Sequence, residues 1–417
     1  MRWDYVIAHA FGTKMSRRRA LGVAARGASA AGAAALLGAT GLHAELARAA
    51  RTQAPAGHSP YAPGRLEPEP IDDTMFDPAA VEAGAWVPGP YGPGDQRGSF
   101  NEVTPEKTAE ALRLLHPGNP VHTYNLGERL FNGFPAFPSS PPRLYDQRLL
   151  LSGYEPPPGY GGFVGSTEPA GPNRISGHEE RFPNGGTYQI ATQLDNLNHV
   201  GVGEMFYNGF RGPEMAETWG TNALGAENMG PIVTRGVVVD VLGLKQARGE
   251  TSALSTAPNG AALLHDDYRI TVEDIEAALA REGIREIRPG DVVLFRTGWT
   301  HLVRTDPDRY LAKEPGIYLR EARYLAQRRP AIIGSDTWAL ESLNPSVTQG
   351  NFFPVHQLLF LRYGIRIGEG MVTEALVEDG VFEFVFIVTP QFAEGATAGN
   401  APPAALGQPT RGRRPGA

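Results

Sequence analysis

A run of β-branched residues in the middle of the chain constrains the fold more than any other feature. Residues 235–241 read Arg-Gly-Val-Val-Val-Asp-Val, a near-continuous apolar run typical of a strand covered on both faces. Apolar runs at 291–296, 331–334 and 381–388 predict three more buried strands. Helical segments alternate with these strands, so the sequence predicts an α/β fold.

Capping signals mark two of the helices. The Thr-Pro-Glu sequence at 104–106 predicts a helix start, and Pro117-Gly118 should end that helix. Residues 271–274, Thr-Val-Glu-Asp, cap a second helix that should reach Ala280 and end at Gly283. Residues 121–126, which lie between these two helices in the chain, predict a further strand.

The first 50 residues have the organisation of a twin-arginine export signal. Ser16-Arg17-Arg18-Arg19 precedes a weakly apolar run rich in Ala and Gly, and residues 46–50 contain an Ala-x-Ala cleavage pattern. A membrane anchor is the alternative, but the Gly and Ala content makes this run a poor spanning helix. The sequence therefore predicts a periplasmic or extracellular protein with no stable membrane insertion once the signal is removed.

Segments rich in Pro and Gly divide the remaining chain. Residues 51–95 predict a linker or an arm that wraps the surface, and residues 393–417 predict a disordered tail. The main domain should occupy residues 96–392. Within it, residues 135–186 form a long Pro/Gly-rich excursion, which predicts a lid, a binding loop or disorder.

Composition excludes several classes of function. The net charge is −7, and the chain has no long Lys/Arg run beyond its N-terminus, which argues against a nucleic-acid partner. Cysteine is absent, so disulfides, thiolate metal sites and cysteine nucleophiles are excluded. Any metal must therefore be bound by oxygen and nitrogen ligands.

Two polar clusters are candidates for such a site. In the first, residues 188–199, extended backbone would place Gln193 and Asp195 on one face, with His199 as a proton-transfer group nearby. In the second, His356 on a predicted helix is followed, after a glycine turn, by Glu369. Both have an ordinary structural alternative, since such residues also occur in turns, caps and satisfied buried networks.

Together the two clusters resemble the cyclase family, which includes bacterial kynurenine formamidase and isatin hydrolase. The family motif His-x-Gly-Thr-His-x-Asp-x-Pro-x-His aligns without a gap on residues 189–199. Matches stand at Thr192, Asp195 and His199, and departures at Gln189, Ala191, Gln193 and Leu197. Further similar segments occur in family order from about residue 88 to residue 392, which is what makes the resemblance persuasive.

The resemblance implies a single large domain with the family's swivelling β/β/α fold and a long Pro/Gly-rich insert. It also implies a metal-dependent hydrolase that opens an amide, lactam or ester bond of a small, aromatic or cyclic substrate, in a homodimer or larger homo-oligomer. His199 aligns with the catalytic histidine of the family. The metal ligands implied by the same alignment are Gln189, Gln193, Asp195, His356 and Glu369.

The two glutamines bear on the identity of the metal. Glutamine offers a neutral, hard oxygen in place of an imidazole nitrogen, which favours manganese or magnesium over zinc and disfavours a two-zinc site. Asp195 and Glu369 would offset the two charges of one divalent ion. The sequence therefore predicts one divalent metal ion, with Mn²⁺ preferred to Zn²⁺, and His199 as the general base and acid.

Two rival functions are weighed against this prediction. A serine hydrolase would need a nucleophile elbow, but no Gly-x-Ser-x-Gly motif occurs, and Ser335 has no histidine near it in sequence. An exported binding protein for small molecules could keep the fold without catalysis, because two ligand positions have changed. Metal analysis separates this second rival from the enzyme.

Overall fold

The computed structural model describes residues 69–410, and a nine-stranded mixed sheet lies at the centre of this part of the chain. The strands in chain order are β1 (His122–Asn125), β2 (Arg148–Ser152), β3 (Phe163–Val164), β4 (Gly177–Arg181), β5 (Gln193–Asp195), β6 (Ala216–Glu217), β7 (Gly220–Thr221), β8 (Ile232–Val239), β9 (Leu254–Thr256), β10 (Ala262–Leu264), β11 (Val292–Phe295), β12 (Ile332–Ser335), β13 (Arg366–Glu369), β14 (Glu383–Val388), β15 (Ala398–Gly399) and β16 (Ala404–Gly407). Across the large sheet their order is β1-β16-β14-β8-β11-β12-β13-β5-β15.

Parallel pairing at the centre of this sheet changes to antiparallel pairing on both sides. Strands β8, β11, β12 and β13 are parallel neighbours, whereas β14 pairs antiparallel with β8, and β5 pairs antiparallel with β13. The four strands predicted from apolar runs are β8, β11, β12 and β14, and each lies within two or three residues of its predicted bounds. The predicted strand at 121–126 is β1.

Eleven α-helices in this part of the chain surround the sheet. They are α1 (Pro78–Glu82), α2 (Pro105–Leu112), α3 (Gly212–Met215), α4 (Val241–Arg248), α5 (Val272–Arg281), α6 (Leu302–Thr305), α7 (Pro307–Ala312), α8 (Leu319–Ala326), α9 (Pro345–Thr348), α10 (Pro354–Gln357) and α11 (Glu374–Glu378). One π-helical segment (Leu358–Tyr363) continues α10, and short 3-10 turns occur at Gly98–Glu102, Tyr207–Gly209, Ala226–Asn228, Thr251–Ala253 and Trp299–His301. Between residues 69 and 410, none of the helices combines the length and apolarity needed to cross a bilayer.

The two predicted helix starts are confirmed by their caps. The Thr104 hydroxyl accepts a hydrogen bond from the backbone N–H of Lys107 at 3.2 Å, and Thr271 forms a reciprocal capping box with Asp274. Helix α2 ends at Leu112, five residues before the predicted Pro117 stop.

Successive residues of the central strands pack into two different cores. Val237 of β8 and Val293 of β11 belong to a core on one face of the sheet, whereas Val238 and Val292 belong to a core on the opposite face. Burial on both faces explains why these strands read as continuous apolar runs and not as alternating ones. The prediction of an α/β fold is confirmed.

The Pro/Gly-rich excursion contains ordered elements. Strands β3, β2 and β4 form a separate three-stranded sheet, in which β2 is parallel to β3 and antiparallel to β4. Residues of β3 and β4 are exposed throughout. Whether this excursion acts as a lid remains a prediction.

The C-terminal tail contains two strands that the sequence does not predict. Residues 393–417 were expected to be disordered, but β15 and β16 lie within this range and join the large sheet beside β5 and β14. Small residues escape a search for apolar periodicity, yet Ala398 and Ala405 are fully buried because a short side chain fits against a neighbouring strand. Residues 411–417 lie outside the described part of the chain.

The N-terminal region is described only from Glu69 onward. Within residues 69–95, Val81, Trp86 and Tyr91 are buried, and Val81 and Trp86 belong to the core on one face of the large sheet. The linker or arm expected at 51–95 stays a prediction. The predicted export signal at 1–50, and the first part of the predicted linker, lie outside the described residues.

A buried carboxyl group at the end of α5 should make stability depend on pH. The side chain of Glu282 is only 1% exposed, one of its oxygens has no hydrogen-bond partner in the described part of the chain, and Asp240 lies beside it. Burial, with a smaller contribution from the Asp240 carboxylate, raises the pKa of Glu282 from 4.5 to about 8. Because the folded-state pKa is higher than the unfolded one, stability is lost as the pH rises from about 4.5 to about 8.

We therefore expect Glu282→Gln to raise the free energy of unfolding by about 1–3 kcal/mol at alkaline pH and to change it little in mild acid. Urea unfolding at both extremes, monitored by circular dichroism, measures the difference. Glu286→Gln is the matched control, because Glu286 is exposed. A gain for Glu282→Gln that is the same at both extremes would contradict the assignment.

Candidate metal centre

Strand pairing brings the two polar clusters together. Strand β5 carries Gln193 and Asp195, and β13 ends at Glu369. The antiparallel register places Glu369 directly opposite Gln193, while Ala398 of β15 lies opposite Asp195. The two segments, which are far apart in sequence, are therefore neighbours in one sheet. Strand β15, from the C-terminal tail, pairs with the other side of β5.

Asp195, His356 and Glu369 form a buried group that could hold a metal ion. One ligand atom from each lies within 4.8 Å of the others. Nε2 of His356 is 3.3 Å from Oε1 of Glu369 and 3.8 Å from Oδ2 of Asp195. Oδ2 of Asp195 is buried and has no hydrogen-bond partner among the described residues. A buried carboxylate oxygen without a donor fits a cation, which would satisfy its charge.

Glu341 orients the imidazole of His356. Oε1 of Glu341 is 2.6 Å from Nδ1 of His356, and the Glu341 carboxylate also accepts the backbone N–H groups of Val355 and His356 at 3.1 Å. A proton on Nδ1 is therefore donated to Glu341, which leaves Nε2 directed at Asp195 and Glu369. This carboxylate-histidine arrangement is the one that fixes the tautomer of metal-binding histidines.

The charge state of this group depends on its neighbours. Burial alone would lower the pKa of His356, but hydrogen bonds of its ring to Glu341 and Glu369 raise that pKa to about 10. Burial, and then the Asp195 carboxylate, raises the pKa of Glu369 to about 7. A cation that binds to this group would therefore compete with a proton.

Gln193 contacts this group through hydrogen bonds, and Gln189 contacts Gln193. Nε2 of Gln193 donates to Glu369 at 2.6 Å and to Oε1 of Gln189 at 2.9 Å, while Oε1 of Gln193 is buried without a partner in the described residues. Of the five predicted ligands, the structure brings Asp195, His356 and Glu369 together. Metal ligation by Gln189 and Gln193 stays a prediction.

The turn before β5 explains why only part of the predicted segment is extended. Ala191 has a positive φ of 56°, so the chain bends before Gln193 and places Gln189 outside the strand. The Thr192 hydroxyl donates to the backbone oxygen of Gly370 at 2.6 Å and holds this bend against the end of β13. Gly370 has a φ of +60°, and a side chain there would press on the Ala191 backbone at 3.0 Å.

His199 lies at the edge of the group, where a cavity begins. Its Nε2 is 3.8 Å from Oδ2 of Asp195, and its side chain is 20% exposed. Burial is the main cause that lowers the pKa of His199, so the imidazole is neutral at pH 7 and able to accept a proton.

The cavity has a volume of about 190 Å³. Its polar lining consists of the site residues His199, His356 and Glu369 together with Gln189 and Arg143, and its apolar lining includes Phe137, Val200, Trp338, Ala339, Phe352 and Phe353. The cavity thus presents a polar end with an imidazole and an apolar, mostly aromatic wall. A volume below the roughly 300–1,000 Å³ of typical drug-sized sites fits a small ligand.

Sequence reasoning missed Glu341 and Arg143. Glu341 follows a turn after β12 and has no motif around it, while Arg143 lies in the Pro/Gly-rich excursion, where spacing carries no structural information. Ser335, the alternative nucleophile, is buried and its hydroxyl contacts only Asp336 and the backbone N–H of Thr337 among the described residues. This arrangement gives no support to a serine hydrolase.

The family model described as Cyclase matches residues 125–342, which is just over half of the chain. The chain belongs to the cyclase family. The matched residues of this cyclase-family protein include Asp195 and His199, whereas His356 and Glu369 lie beyond them. A search of curated protein sequences finds no significant match.

Solved structures include similar folds. A crystal structure of a novel cyclase is 27% identical, with a TM-score of 0.60, and the match covers 76% of this chain and 98% of that one. Isatin hydrolase A from Ralstonia solanacearum is 18% identical, with a TM-score of 0.46, over 69% of this chain and 92% of that chain. An isatin hydrolase bound to the product analogue thioisatinate is 17% identical, with a TM-score of 0.47, over 73% and 98%.

Proposed function

We propose that this cyclase-family protein is a metal-dependent hydrolase that cleaves an amide, lactam or ester bond of a small aromatic or cyclic substrate. The observation that carries the proposal is the convergence of Asp195, His356 and Glu369 within 4.8 Å, beside a neutral imidazole at the end of a cavity. Family membership makes the same chemistry the natural expectation.

One divalent cation would be held by Asp195, His356 and Glu369. When bound, such a cation supplies Lewis acidity that polarises a carbonyl group and makes a water molecule more acidic. Carboxylate oxygens with a single imidazole suit a hard ion, so we propose Mn²⁺ in preference to Zn²⁺. The orphaned Oδ2 of Asp195 and the oriented Nε2 of His356 support this fit.

His199 would move the proton. As a neutral imidazole, it accepts a proton from the attacking water and later returns it to the departing nitrogen or oxygen. It lines the cavity, where it can contact a substrate, and its separation of 3.8 Å from Asp195 keeps it outside hydrogen-bond distance of that carboxylate.

A binding protein without catalysis remains the second candidate, and one observation favours it. In the metal-free protein the charge of Glu369 is already shared with His356 and with the Gln193 amide, at 3.3 and 2.6 Å. A buried carboxylate with two such partners needs no cation to be satisfied.

Elemental analysis and an activity screen separate the two candidates. The purified protein should contain about one equivalent of divalent metal and hydrolyse at least one member of a panel of arylformamides, lactams and lactones. Chelation should stop hydrolysis, and re-addition of Mn²⁺ should restore it. A protein that holds no metal and binds panel members unchanged would support the binding function instead.

Gln193→His should change the choice of metal. An imidazole at this position, where the Gln193 side chain now contacts Glu369, offers a nitrogen ligand and should shift the preference toward Zn²⁺. Competition between Zn²⁺ and Mn²⁺ for the wild type and the variant measures the shift. Unchanged selectivity would mean that residue 193 does not contact the ion. Gln147→His is the control, since Gln147 lies outside the metal group and the cavity lining.

A further inference from the structure

We propose that Arg143 is a specificity-determining residue that binds a carboxylate group on the aromatic substrate, an inference that rests on the proposed hydrolase function. Arg143 lines the cavity that contains His199 and Glu369. It lies between β1 and β2, in the first part of the Pro/Gly-rich excursion. It is therefore distant in sequence from the metal group. The substrate class that follows is a small aromatic or cyclic compound with a free carboxylate.

Arg143 has no hydrogen-bonded or ion-paired partner among residues 69–410. Its side chain is half-buried. Its guanidinium carbon lies 5.4 Å from the ring centroid of Phe137, and its charge acts at longer range on Glu369 and His199. A half-buried guanidinium that lacks an acceptor gains most from a planar anion, which it can hold with two parallel hydrogen bonds.

The nearby carboxylates do not fill that role. Glu369 is bonded to Gln193 and His356, and Glu341 is bonded to His356 and to two backbone N–H groups. Neither lies within 4 Å of the Arg143 guanidinium in the described structure. Arg143 therefore has no carboxylate within ion-pair distance among residues 69–410, and its charge acts on Glu369 only at longer range.

Aromatic side chains of the cavity wall provide faces on which a substrate ring can stack. Phe137 and Trp338 pack with ring centroids 5.5 Å apart, and Phe352 leaves 68% of its surface exposed at the cavity. Exposed aromatic faces stack on a flat ring. The Arg143 guanidinium belongs to the same cavity lining as these rings. A ring with an anionic substituent satisfies the stacking faces and the guanidinium together.

The loop that carries Trp338 is held in place by a buried carboxyl group. Glu314 accepts the backbone N–H groups of Trp338 and Ala339 at 2.9 and 3.0 Å. Phe137, which packs against Trp338, belongs to the same excursion as Arg143. The proposed subsite therefore combines the Trp338 loop, held by Glu314, with side chains contributed by the excursion.

Matched substrates test the proposal. 4-Formamidobenzoate and 4-formamidobenzamide differ in charge and hardly in size. The wild type should prefer the benzoate, and Arg143→Met should lower kcat/KM for the benzoate by about 10–100-fold while changing that for the benzamide by less than about twofold. Arg143→Lys keeps the charge but not the planar fork, and it should fall between the two. Equal losses on both substrates, or no preference in the wild type, would overturn the proposal.

Binding measurements separate this proposal from the hydrolase proposal. Calorimetric titration with benzoate and with benzamide reports the Arg143 subsite whether or not any bond is cleaved. Benzoate should bind the wild type more tightly than benzamide, and Arg143→Met should remove that difference. Arg304→Met is the matched control, because Arg304 stacks on Phe131 outside the cavity. Hydrolysis of formamides with no loss of benzoate affinity in Arg143→Met would leave the enzyme standing and refute the subsite.

Discussion

Replacing His199 with alanine should lower turnover by about 10²–10⁴-fold, the range that proton transfer by a placed side chain contributes, and should leave the metal bound. The imidazole lies 3.8 Å from Asp195 and does not belong to the group of three possible ligands. Steady-state kinetics and elemental analysis of the same preparation provide the two measurements.

The pH dependence of this variant is a second readout. Because burial lowers the pKa of His199, the wild-type rate should rise through an acidic limb in which the imidazole loses its proton, and then level off. His199→Ala should lose that limb. His116→Ala, at an exposed position, is the control and should behave as the wild type does. Equal loss of metal and activity in His199→Ala would instead place His199 in the coordination shell.

The sequence predicted the central strands well because their signal is local. β8 and β11 are buried on both faces, so each position in turn must be apolar and the run identifies the strand without tertiary information. The capping box at Thr271 is equally local, since its two hydrogen bonds join residues three apart. The tail strands β15 and β16 were missed because Ala and Gly carry no such signal, and because β5 and β1, with which they pair, lie far away in the chain.

The residues of the candidate site also differ in whether the sequence alone can reveal them. Asp195, His356 and Glu369 could be selected because the motif resemblance fixed their positions, and strand pairing then placed Gln193 opposite Glu369. Glu341 could not be selected, because its role depends on tertiary hydrogen bonds to Val355 and His356 of α10. Arg143 escaped for a related reason: its excursion has no periodicity, and only the folded chain shows that it reaches the cavity.

Asp195→Asn should abolish metal binding and reduce hydrolysis to background. Asp195 is fully buried, and within the group of Asp195, His356 and Glu369 it supplies the oxygen that has no hydrogen-bond donor in the described structure. Its amide replacement therefore removes the charge that holds the cation while keeping the shape. In the wild type, a cation at about 100 times its dissociation constant stabilises the folded state by about 2.7 kcal/mol. Thermal unfolding of the variant should therefore be the same with Mn²⁺ and with chelator.

Glu341→Gln is a comparison variant with an intermediate expected metal affinity. It shows whether the loss in Asp195→Asn is specific to a metal ligand. Glu341 acts through His356 and does not belong to the ligand group, so its loss should weaken metal affinity by about 10–100-fold without abolishing it. The wild type, Glu341→Gln and Asp195→Asn should thus fall in that order in an Mn²⁺ titration followed by thermal unfolding, with folding verified by circular dichroism. If Asp195→Asn kept a full equivalent of metal, the ion would have to be bound elsewhere, and the hydrolase mechanism built on these three side chains would fail with it.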